Sequence, residues 1–127
     1  MAKIGLSEGN TVFSLNAGED LSAKQFFALE IATDGDVELA DATTDAPVGI
    51  LLNKPSAGEA AEIIHSGVSK AKVGGTVAAG DFLGPDTDGM LIAVTADTKT
   101  YCARALQAGV DGDVIDVIVV PCGYIAG

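Results

Sequence analysis

The chain has 127 residues, 48% of them hydrophobic and 20% charged, a globular composition that fits one domain with one core. Eighteen acidic side chains against seven basic ones give a formal charge of -11, which repels nucleic acid and anionic lipid. No apolar run reaches the roughly eighteen residues of a membrane-spanning helix and the N-terminus lacks the order of a secretion signal, so neither partner is expected and the chain is expected in a cytosol.

Residues 1–10 are small, polar and interrupted by glycine, with Ile4 and Leu6 the large apolar side chains after Met1. They are predicted to form a flexible arm ahead of one domain spanning 11–127. Residues 11–15 read as a short strand with Thr11, Phe13 and Leu15 on one face, and residues 16–20 turn the chain. From Leu21 two patterns compete: Ser22 and Gln25 have capping-box spacing, but Phe27, Leu29 and Ile31 alternate with Ala28, Glu30 and Ala32. The alternation decides for a strand. Asp34-Gly35-Asp36 then turns the chain into Val37 and Leu39, completing a hairpin, and residues 41–46 form an acidic loop.

Residues 47–72 organise the rest. A short apolar strand at 48–52 is followed by the turn chemistry of Asn53-Lys-Pro-Ser-Ala-Gly58, and an extended pattern resumes at 60–65 before Gly67 breaks it. A second copy follows fifty-four positions on. Leu52 matches Leu106, Gly58 matches Gly112, Glu59 matches Asp113, Glu62 matches Asp116, Ile63 matches Val117 and Ile64 matches Ile118. Residues 101–119 are therefore a second strand-turn-strand of the same design, and Ile63, Val117 and Leu106 are expected in a shared core. Between the copies, Gly74, Gly75 and Gly80 permit the sharp bends of a small barrel, and 86–89 and 97–100 are turns around a strand at 90–95. Roughly eight to ten short strands and hardly a helix define an all-β chain, a small β-barrel or β-tulip-like domain or a sandwich.

The chemistry-bearing residues are few. His65 is the one imidazole, with Ser66 and Ser69 close in sequence for a Ser-His scheme; Ser66, next to it on a strand, faces the other way, and the favoured reading is a strand histidine at a surface or interface. Gly75 to Gly80 has phosphate-loop spacing, but Asp81 stands where a lysine is required. Asp86 and Asp88, or Asp111 and Asp113, could meet calcium, yet neither stretch supplies the ligand set of an EF-hand, and both read as turn carboxylates. Two cysteines and one histidine fall short of a disulfide framework or a zinc set, so Cys102 and Cys122 are expected to be reduced and half-buried. No catalytic, cofactor-binding or metal-ligating residue is assigned, and no enzyme is expected. Residues 73–83 also resemble the tight turn of biotinyl and lipoyl carrier domains, but Met90 is followed by Leu91 and no lysine lies between Met90 and Lys99. The alternative reading is a barrel-sandwich-hybrid domain without its acceptor lysine.

The order Val48-Gly-Ile-Leu-Leu52, Glu62-Ile-Ile-His-Ser-Gly-Val68, Gly80-Asp-Phe-Leu83 with Asp88-Gly-Met90, Ala103-Arg-Ala-Leu106 and Gly112-Asp-Val-Ile-Asp-Val117 resembles the capsid decoration (cement) proteins of tailed bacteriophages. The segment Ala46-Pro-Val-Gly-Ile-Leu51 is also similar to the head decoration proteins of lambda-like phages. The resemblance covers about residues 21–120. It implies a small β-barrel with an extended N-terminal arm, assembled in the host cytoplasm as a homotrimer at three-fold and quasi-three-fold positions. The site is the outer surface of the expanded shell of major capsid protein, so the expected location is the virion, with no cofactor and no catalysis. The arm, through Ala2, Lys3, Ile4 and Leu6, is the expected capsid contact. One feature of the residues themselves points to a partner: Val114, Ile115, Val117, Ile118, Val119 and Val120 fill both faces of one strand, so its second face is expected against another subunit or another part of the chain.

Overall fold

Short alternating apolar runs punctuated by glycine and aspartate turns fold here entirely as antiparallel strands. The computed structural model describes residues 10–43, 45–95 and 100–124; residues 1–9 of the predicted arm, with Ala2, Lys3, Ile4 and Leu6, lie outside the described residues. Nine strands are present among them: β1 (Thr11–Asn16), β2 (Ala28–Ile31), β3 (Val37–Leu39), β4 (Gly49–Leu51), β5 (Ala60–Lys72), β6 (Phe82–Pro85), β7 (Leu91–Ala93), β8 (Thr100–Ala105) and β9 (Val114–Tyr124). They form one curled sheet in the order β3-β2-β4-β5-β9-β8-β6-β7, with β1 pairing against β5. The all-β expectation is met.

The repeat seen in two hairpins extends through the fold. In β2 and β3 Leu29 lies opposite Leu39, and in β6 and β7 Leu83 lies opposite Ala93. Ala28 lies opposite Ile50 where β2 meets β4, and Phe82 opposite Arg104 where β6 meets β8. Leu51 faces Ile63 between β4 and β5, as Ala105 faces Val117 between β8 and β9. Every one of these pairs is displaced by the same fifty-four positions. The first strand is displaced by two more: Asn16 lies opposite Ala60 where Lys72 lies opposite Val114. The difference is taken up by an extra turn after Leu21, marked by the Lys24 N–H to Leu21 carbonyl bond of 3.0 Å.

Each half is thus a five-stranded unit, and β5 belongs to both. Its first part is the last strand of the N-terminal unit and its last part is the first strand of the C-terminal one. Each unit curls until its first strand reaches its third: Ala17 bridges Val37 in parallel, and Val73 bridges Leu91 in the same way. The Gly18 and Gly74 amides, each 2.8 Å from the carbonyls of Val37 and Leu91, seal the two small barrels. Their interiors are apolar. Leu21, Leu29, Val37, Leu51, Ala61 and Ile63 fill the first, while Val73, Val77, Leu83, Leu91, Ile115 and Val117 fill the second. The second cluster also takes in Ala28, Ile50 and Ile64 from the first unit's outer face, so the two units bury one common seam.

Several expectations are corrected. Gly67 does not break the strand. It sits mid-β5 at φ 117°, the left-handed region open to glycine, with Asn10 directly over its α-carbon, and the strand continues from one unit into the next. Residues 21–27 are turns, not strand, and β2 begins only at Ala28. The cause is local: Phe26 adopts φ 73°, incompatible with a pleated strand, while its N–H donates to Leu51 O at 2.8 Å and its carbonyl accepts from Lys72 N–H at 3.0 Å. Ile63 and Val117 are fully buried, as expected, but Leu106 is 49% exposed, because it follows β8 on the outer face of the second unit. Cys102 is buried and Cys122 exposed, both free, so neither is half-buried.

Candidate interaction surface

The single histidine is oriented by two contacts. His65 Nδ1 lies 3.0 Å from the Val48 carbonyl, which can only accept, so Nδ1 carries the proton. The edge of the ring meets Phe13 at 6.4 Å and 74°. The Ser69 hydroxyl donates to the Lys70 carbonyl instead. The acidic turns likewise spend their carboxylates on the backbone. Asp86 Oδ1 accepts from the Asp88 and Met90 amides, and Asp113 Oδ2 accepts from Val110 N–H at 2.9 Å, as Glu59 Oε1 does from Ser56 N–H at 2.7 Å in the first unit. Repetition of the same turn marks it as architecture. The corner at residues 73–83 has the same standing, since Ala17 and Gly18 repeat its bonding in the first unit.

Two features set the halves apart. The first is acidic. Glu30 lies directly opposite Glu38 across β2 and β3, a like-charge pairing. Burial, then a hydrogen bond with Glu38, then the charges of Asp45, Glu38 and Asp41 push the Glu30 carboxyl up to about 7. Carboxylate oxygens of Glu30, Asp41 and Asp45 lie within 4.8 Å of one another. At the equivalent positions the second unit has Gly84 and Ile92, so this edge is charged in one unit only.

The second is apolar. On β9 the side chains of Ile115, Val117 and Val119 point inward, leaving Val114 and Ile118 outward and 45% and 37% exposed. Beside them Leu106 projects from the end of β8, and the side chain of Arg104 lies 4.7 Å over the Phe82 ring. Arg104, the one arginine of the chain, also donates from Nε and Nη2 to the Gly80 carbonyl at 3.3 and 3.1 Å. Phe82 stacks in turn on Tyr101, with ring centroids 4.8 Å apart. Ala79, Gly80, Arg104, Ala105, Leu106 and Ile118 line a shallow depression of about 400 Å³. Aromatic rings, an arginine and aliphatics around a depression are the composition of a protein-binding surface. The sequence pointed to it through the two apolar faces of the β9 segment, but it gave no sign that Phe82 and Arg104 would join them.

No family model matches the chain, and no curated protein matches it. Among solved structures, the fold is similar to the crystal structure of the head fiber gp8.5 N base in bacteriophage phi29. The two superpose with a TM-score of 0.65 over 87% of this chain and 93% of that one, at 15% sequence identity. The fold is therefore shared along nearly the whole of both chains. The neighbour is a head-fibre protein of bacteriophage phi29 and not a lambda-like decoration protein, and at this identity the likeness shows a shared fold.

Proposed function

We propose that this protein is a structural component of a phage head, a decoration or cement protein that binds the outer surface of the expanded major-capsid-protein shell. It sits as a homotrimer at three-fold and quasi-three-fold positions and stabilises the head without catalysis. The observation that carries the reading is the whole-length likeness of its double-barrel fold to a phage head-fibre base. The commitment of His65 and of the turn carboxylates to backbone partners is in keeping with a role free of chemistry. The charge of -11 keeps bound copies facing solvent and repelled from packaged DNA. Linked contacts around one axis raise avidity even when each is weak. Ala2, Lys3, Ile4 and Leu6 of the arm supply the contact with the shell.

Co-sedimentation with purified shells before and after expansion tests the reading. Binding is expected chiefly to expanded shells, and deletion of residues 2–9 should weaken it while leaving the barrels folded. Equal binding by the deletion variant removes the arm from the mechanism, and failure to bind either form of shell overturns the proposal.

A further inference from the structure

The internal repeat supplies a template for what covers the exposed face of the second unit. In the first unit the same face is made by Ala28, Ile50, Leu52 and Ile64, and it packs on the second unit: Ala28, Ile50 and Ile64 are no more than 2% exposed. Backbone bonds fasten this seam. Ala28 N–H donates to the Gly89 carbonyl at 2.9 Å, and Lys72 N–H to the Phe26 carbonyl at 3.0 Å. Fifty-four positions on, the corresponding residues are Phe82, Arg104, Leu106 and Ile118, and this face is open. A two-fold relation between the units would bury both copies of the face or neither. Burial of one copy means that the units meet head to tail, and a head-to-tail contact is one that repeats.

We infer that the open face of the second unit docks onto the first unit of another copy of this chain, reproducing the seam inside the chain. The receiving surface follows from the same correspondence, with the first strand displaced by two more. Gly89 corresponds to Gly35, Met90 to Asp36, Lys72 to Asn16 and Val114 to Ala60, so the docking edge is the turn at residues 32–36 together with the ends of β1 and β5. Charge matches this assignment. Both units are net acidic, but the docking edge holds Asp34 and Asp36 and the incoming face brings Arg104, the one arginine of the chain. The left-handed position before β2 and β6 fits as well. It is occupied by Phe26 at φ 73° where the face is covered and by Gly80 at φ 92° where it is open, so the bulky ring stands only where it has a partner surface. With the copy number of the proposed trimer, closure in this way gives a ring of six similar units. The inference stands on the repeat and not on the phage-head reading.

Light scattering and sedimentation of the purified full chain test it. The wild type should form an oligomer whose mass falls to that of one 12.7 kDa chain in Ile118→Asp and in Leu106→Asp. Both sites are exposed, and the melting temperature of dilute protein should show that the fold is kept. Arg104→Glu and Asp36→Arg should each shift the mass toward the single chain, and the double variant, which restores an opposite-charge pair at every contact, should recover the oligomer. A wild type that stays a single chain at every concentration overturns the inference, whether or not it binds shells. So does an oligomer that survives both Ile118→Asp and Leu106→Asp, or a double variant that associates no better than the singles.

Discussion

Ile64 and Ile118 occupy the same place in two copies of one small barrel, yet Ile64 is 2% exposed and Ile118 37%. The difference is not in the residue or in its strand but in whether a further unit follows. Replacing a buried isoleucine by alanine costs roughly 2–5 kcal/mol, whereas a surface position away from special features costs about 0.5 kcal/mol or less. Ile64→Ala should therefore lower the urea midpoint of dilute protein sharply and Ile118→Ala hardly at all. Equal losses at the two sites would contradict the head-to-tail packing of the units.

Val117 is fully buried in the second barrel. Burying such a side chain contributes roughly 1.5–3 kcal/mol, and a carboxylate in its place would meet only aliphatics. Val117→Asp should leave the chain unfolded by circular dichroism, and a soluble, cooperatively melting variant would refute the assignment of this core.

Gly67 is the hinge at which β5 passes from one unit to the next. At φ 117° a side chain is strained by about 1–3 kcal/mol, and a Cβ would also strike the Asn10 side chain. Gly67→Ala should destabilise by at least the strain alone, as a drop in melting temperature would show. An unchanged melting curve would mean that this backbone geometry is not required.

Glu30 should make stability fall as pH rises. Its carboxyl is raised from 4.5 to about 7 in the fold, so the folded state holds a proton that the unfolded chain releases. The stabilisation is fully present below about pH 4.5 and is lost as pH rises through about 7. Glu30→Gln should melt higher than the wild type near pH 8, with the gap closing near pH 5. A gap of the same size at both values would show that the acidic edge does not titrate as described.

The thiols should divide cleanly. Burial, with a smaller contribution from Cys122, pushes Cys102 up to about 12, and reaction with disulfide reagents requires an accessible thiolate. The native protein should react at Cys122 alone and the denatured chain at both cysteines. Fast modification of Cys102 in the native state would contradict its place in the second barrel.

Much of this was legible in the sequence where identity and geometry coincide. The offset of Gly58 and Gly112, both at positive φ, and of Leu52 and Leu106 revealed the two hairpins. The remaining strands were harder to match, because Ala28 corresponds to Phe82 and Ile50 to Arg104. The fold needs the register at these places and not the side chain. The extra turn after Leu21 shifts β1 by two residues and hides its likeness to the end of β5. Leu106 shows that an apolar residue in a repeat need not be a core residue: its counterpart Leu52 packs against the cluster at the seam between the units, whereas Leu106 has no further unit beside it. The acidic edge was not anticipated either, since Glu30, Glu38 and Asp45 come together only through strand pairing and a loop.

The most direct test of the account is electron microscopy of expanded phage shells with and without this protein. It predicts added density on the outer surface at three-fold and quasi-three-fold positions, three chains at each, resolved as six similar lobes around the axis. Expanded shells that show no added density at saturating protein, or density only inside the shell, would contradict it.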